Sequence, residues 1–150
     1  MFRTTPSGFV RAGAVVALLA TAAAPVAAQA REALGPPSPI LSQAVRVGNM
    51  VYAAGQLPSR GANADTTIQG QTRSTLENIK RVFEMAGTTM ANATKCTVFI
   101  IDGADFAGMN EAYRTFWQSA PPARTTVIVK GLVVPGAKLE IECNAVMPAK

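Results

Sequence analysis

Histidine is absent from the 150 residues of this chain. Metal sites that count histidine among their ligands, and serine nucleophiles activated by an imidazole, are therefore excluded. No block of lysine and arginine occurs outside the N-terminal region, and Tyr52, Phe83, Phe99, Phe106, Tyr113, Phe116 and Trp117 fall at core-like spacings. A nucleic-acid groove needs the opposite arrangement, a basic stripe interleaved with exposed stacking rings. No nucleic-acid partner is expected. Cysteine occurs only as Cys96 and Cys143.

What is present begins with an export signal. Residues 1–11 carry Arg3 and Arg11 and no acid, residues 12–24 are uncharged and largely apolar, and Ala28-Gln29-Ala30 has the small-x-small pattern of a peptidase site. The apolar run falls short of the about 20 residues that a membrane span requires. No cysteine follows the cut and no twin arginine precedes it, so neither lipid attachment nor folded export is indicated. A signal peptide over 1–30, cleaved after Ala30, predicts an exported protein, periplasmic or secreted, with no membrane attachment afterwards. Removing Arg3 and Arg11 from 14 basic residues leaves 12 against 9 acids, a net charge of +3 on the domain over 31–150.

Residues 31–43, rich in proline, read as an extended leader strapped over the surface. Val45-Arg46-Val47 and Met50 to Ala54 read as a hairpin, with Gly48-Asn49 supplying the tight turn. Leu76, Ile79, Val82, Phe83 and Ala86 have the spacing of one helix face, predicting a helix over 69–86 that Gly87 closes. A strand is expected over 93–101, and Asp102 to Asp105 form a turn able to cap the next helix. That helix, over 106–117, is expected to bury Phe106, Met109, Tyr113, Phe116 and Trp117. Strands over 124–130 and 138–147 close the order β-β-α-β-α-β-β, a two-layer α+β domain with both helices on one face of the sheet.

Two short segments concentrate the chemistry. Pro121-Pro122 forces the following strand to start at its far side, which puts Arg124 at the strand mouth. A guanidinium there can hold a carboxylate through two parallel hydrogen bonds; the plainer alternative is an ion pair with a neighbouring acid. In Lys138-Leu139-Glu140-Ile141-Glu142 the glutamates alternate with apolar residues, so Glu140 and Glu142 share one strand face and Leu139, Ile141 and Cys143 the other.

These segments resemble the RidA/YjgF family of enamine/imine deaminases. The likeness runs in order through Ser42-Gln43-Ala44-Val45, Ala54-Gly55-Gln56-Leu57-Pro58, Gln71 to Ile79, Lys95 to Ile100, Phe106 to Tyr113, Pro121 to Val127 and Lys138 to Glu142. The resemblance implies a chorismate-mutase-like fold that assembles as a homotrimer, with ligand clefts between subunits. It implies hydrolysis of 2-enamine or 2-imino acids to 2-keto acids and ammonia, without cofactor or metal. The partners it implies are the imino or enamino acid and two further copies of the chain. By this likeness Arg124 anchors the substrate carboxylate and Glu140, rather than Glu142, positions or activates water. Asn110, Gly55, Ala54, Leu41 and Thr126 would contact substrate. Asn110 could equally face solvent, and Gly55 could simply make a turn.

Three positions depart from the family pattern. Leu41 stands where a cleft tyrosine is usual, Ala54 where a serine is usual, and Thr126 where a cysteine is frequent. The cleft becomes more apolar near Leu41 and Ala54. A small-carboxylate binder without catalysis, or a holdase-like chaperone, are the alternative readings. Cys96 and Cys143 occupy apolar strand positions and are expected to be two buried free thiols; a disulfide would need Cα atoms within about 7 Å.

Overall fold

The computed structural model describes residues 29–62 and 64–149. Most of the expected signal peptide, residues 1–28, lies outside the described residues. Six strands form one sheet in the order β1-β2-β3-β6-β4-β5. They are β1 (Arg31–Leu34), β2 (Ala44–Val47), β3 (Met50–Ala53), β4 (Ala93–Ile100), β5 (Ala123–Ile128) and β6 (Leu139–Val146). Every neighbouring pair is antiparallel except β4 and β5, which run parallel. A parallel pair requires a crossover, and the helix α2 (Phe106–Tyr113) lies in it.

The expected α+β order holds, with one addition. The start of the proline-rich leader is not a loose strap: β1 pairs along β2, Arg31 opposite Val47 and Leu34 opposite Ala44. An edge strand of four residues has too few positions to display alternation, which is why its sequence reads only as extended chain. Between β2 and β3 the turn is the one expected, with Gly48 at φ +59°.

Helix α1 (Ile68–Met85) begins at Thr67, whose hydroxyl accepts the N–H of Gly70 at 3.1 Å. Leu76, Ile79, Val82 and Phe83 lie buried along one face, each contributing about 1.5–3 kcal/mol through burial. Gly87, at φ +82°, takes the left-handed conformation that ends the helix. Opposite this face the sheet supplies Val51, Ala53, Val98, Ile100, Leu139, Ile141 and Ala145, all buried.

Two further expectations need correction. Helix α2 ends at Tyr113, and Phe106 at its start is 44% exposed instead of buried. The helix sits beside α1 and turns its first residue toward solvent, while Met109 and Tyr113 face inward. The cysteines are not free thiols: Cys96 and Cys143 form a disulfide, with Cα atoms 4.1 Å apart. They are direct partners in the β4–β6 register, on the helix-facing side of both strands. Adjacent positions on one face bring the sulfurs together, although each cysteine by itself looks like any apolar strand residue.

Candidate functional site

Arg124 enters the sheet as the second residue of β5, opposite Cys96 of the parallel strand β4. Cys96 faces the helices, so Arg124 does too. Its guanidinium carbon lies 4.6 Å from the ring centroid of Tyr113 and 5.9 Å from that of Phe106. Nη1 donates to the sulfur of Met109 at 3.8 Å. Phe106, Met109, Asn110 and Tyr113 recur at helical spacing, so one face of α2 supplies the platform. Among the described residues no carboxylate lies within 4.0 Å of Arg124. The ion pair that would have made this arginine structural is not formed there.

The cleft around it encloses about 410 Å³ and is lined by Asn110, Tyr113, Arg114, Trp117, Pro121, Pro122 and Arg124. Asn110 is half-buried in its wall. Thr126 follows Arg124 on the same face of β5, and its hydroxyl is buried without a hydrogen-bond partner. The Tyr113 hydroxyl is in the same state. Burial pushes the Tyr113 phenol up to about 12, against the opposing pull of the Arg124 charge. It is therefore a neutral donor throughout the neutral range.

The remaining expected site residues gather elsewhere. Ala54, Gly55 and Gln56 continue from β3 alongside the first residues of β6, where Gln56 and Ile141 exchange N–H···O bonds of 2.8 and 3.0 Å. This brings Gly55 against Glu140: a β-carbon at Gly55 would collide with the Glu140 carboxylate. A side chain at this position would make the Glu140 carboxylate swing aside, so Gly55 lets that carboxylate close in on the backbone. Glu140 is half-buried while Glu142 is exposed. Gly55, Glu140 and Glu142 border a cleft of about 340 Å³ completed by Phe99, Val129 and Gly131 to Val133. On its other side Gly55 joins Leu41, Ala54, Gln56, Arg81 and Met85 around a depression of about 480 Å³.

The two groups do not meet within one chain. Arg124 is opposite Cys96 and Glu140 is opposite Phe99, on strands that flank β4 from its two sides. Two strand spacings and three residue steps put their Cα atoms roughly 14 Å apart. They also point to opposite faces of the sheet, Arg124 toward the helices and Glu140 away from them. Asn110, Arg124 and Thr126 form one half; Leu41, Ala54, Gly55 and Glu140 form the other. Tyr113, taken from the sequence only as a core residue, is the group that reasoning missed. Its spacing from Asn110 on the same helix face was the available signal.

A six-stranded mixed sheet covered by two helices defines an α+β domain. The family model described as Endoribonuclease L-PSP matches residues 29–147, and the chain belongs to this family, RidA/YjgF. A protein of Escherichia coli named as a candidate reactive intermediate deaminase is 39% identical over 71% of this chain and 86% of its own length. The Reactive Intermediate Deaminase A of Arabidopsis thaliana chloroplasts is 34% identical, over 79% of this chain and 63% of its own length. A YjgF-family crystal structure from Neisseria meningitidis aligns with a TM-score of 0.73 at 27% identity, covering 81% of this chain and 98% of that one.

Proposed function

We propose that this protein hydrolyses 2-imino acids, formed from 2-enamine acids, to 2-keto acids and ammonia. The observation that carries the reading is the Arg124 cleft. A half-buried guanidinium, stacked on Tyr113 and without an acid beside it among the described residues, is built to receive a small carboxylate. Once the carboxylate is held, the enamine tautomerises, water adds to the C=N carbon, and the C–N bond breaks to release ammonia. The electrophile is already reactive, so positioning and one proton shuttle suffice. Names of relatives as reactive intermediate deaminases support the same chemistry.

Glu140 fits the shuttle only if it comes from another copy of the chain. A homotrimer with composite clefts meets that requirement: the Arg124 half from one subunit faces the Glu140 half of its neighbour. Exposed Tyr52 and Val127 on the uncovered sheet face, and exposed Ile40 and Leu41 in the leader, supply apolar surface for such an assembly. The assay is 2-keto acid release from an imine made in place by an amino-acid oxidase, with semicarbazide trapping unreacted imine. No acceleration by the purified protein leaves a carboxylate binder in place of an enzyme.

The composite cleft has its own test. Arg124→Ala and Glu140→Gln proteins are each expected to be inactive, but co-refolded one-to-one they should recover about a quarter of wild-type activity, because random mixing makes about one interface in four intact. Recovery of none would put both residues to work in the same chain, and an active single variant would put its residue outside the reaction.

Substrate preference follows from Leu41. An aliphatic side chain in place of a phenol favours longer apolar substrates by about 0.8 kcal/mol per methylene buried. The imines of leucine and methionine should then show higher kcat/KM than that of alanine, and Leu41→Tyr should invert the order. Preference of the wild type for the alanine imine would remove Leu41 from the pocket.

Export belongs to the same proposal. The Cys96–Cys143 disulfide suits an oxidising compartment, and β1 begins at Arg31, the first residue after the proposed cut.

A further inference from the structure

Three side-chain hydroxyls among the described residues are buried without a hydrogen-bond partner: those of Thr75, Tyr113 and Thr126. Thr75 lies in α1 against the core, but the other two flank Arg124. Leaving a buried hydroxyl unpaired destabilises a fold, and such groups are uncommon in native proteins. Trp117, whose ring centroid is 4.8 Å from that of Tyr113, satisfies its own N–H by donating to the Met90 carbonyl at 2.8 Å. Tyr113 is 5% exposed, lines the cleft, and lies with its ring face under the guanidinium.

We propose that the Tyr113 hydroxyl is a substrate-binding group, donating a hydrogen bond to the carboxylate that Arg124 holds. This rests on the carboxylate reading of the cleft and adds a residue to it. Leu41 has removed a hydroxyl from the partner half of the site; Tyr113 supplies one from the arginine half. The geometry is economical, because the ring that orients the guanidinium also carries the donor. A neutral phenol can approach a carboxylate without charge repulsion, and the elevated ionisation range keeps it neutral in working conditions.

A structural hydroxyl and a ligand-binding hydroxyl respond to deletion in opposite ways. Tyr113→Phe keeps the ring, its stack with Trp117 and the contact with Arg124, and removes only the oxygen. The probe is 4-methyl-2-oxopentanoate, the keto acid expected from the leucine imine, titrated calorimetrically into wild type and variant. Binding should weaken about tenfold, with KM rising in parallel, while Tm stays level or rises because an unpaired buried group has been removed. Equal affinity within about twofold, or a Tm lower by more than about 3 °C, would overturn the assignment. The two readings fail separately. Wild-type protein that does not bind the keto acid ends the carboxylate reading and the Tyr113 role with it; wild-type binding with an unaffected Tyr113→Phe variant ends only the latter.

Discussion

Arg124→Ala should lose about 2–4 kcal/mol of substrate positioning, or roughly 30- to 1000-fold in kcat/KM, and leave the assembly unchanged by mass. The size follows from what Arg124 does in this chain. It makes no ion pair among the described residues, so its removal leaves no buried carboxylate behind. Its contacts are the faces of Tyr113 and Phe106 and the Met109 sulfur, none of which needs a cation. The energy lost is therefore energy of the ligand. Arg124→Lys should be nearly as poor, since an ammonium cannot form the two parallel hydrogen bonds and stacks less well. Activity of either variant within about twofold of wild type would move the anchor elsewhere.

Removing the disulfide should have the largest effect on stability. Cys96 and Cys143 are 47 residues apart in sequence, and closing a loop of that length constrains the unfolded chain by about 4 kcal/mol at most. Both side chains are also buried, at 0% and 1% exposure. The double variant Cys96→Ala/Cys143→Ala should melt about 10 °C or more below wild type, and added reductant should lower the wild-type Tm toward that of the variant. A Tm indifferent to reductant, with two alkylatable thiols in the untreated denatured protein, would restore the free-thiol reading.

The limits of sequence reasoning are informative at the same residues. Glycine at the β2–β3 turn and the apolar stripe of α1 are local features, and both were legible. So was the alternation in β6 that separates Glu140 from Ile141. The disulfide depends on register, and a slip of one residue would turn one cysteine to the other face. That register is set past an irregularity between Ala93 and Lys95, which no local pattern announces. The faces of β5 were equally opaque, because Arg124, Thr126 and Ile128 on one side are as mixed as Thr125 and Val127 on the other. The pairing of Arg124 with Cys96, and its contacts with Phe106, Met109 and Tyr113, show that the arginine looks toward α2. Residues of both halves could thus be named, Tyr113 excepted, and clefts between subunits were implied by the resemblance; which residue falls in which half shows only in the register of the sheet.

That division makes subunit number and site number a question of closure. A chain that offers its arginine cleft on one side and its glutamate on the other can hand each to a different neighbour. In the proposed closed ring every arginine would find a glutamate, and three subunits would carry three complete sites. Break the ring open and the same three subunits carry two, with one idle arginine and one idle glutamate at the free ends. A lone chain carries none. Dilution should therefore lower specific activity, not merely total activity, and the chemistry would switch on only where enough copies accumulate to complete the circle.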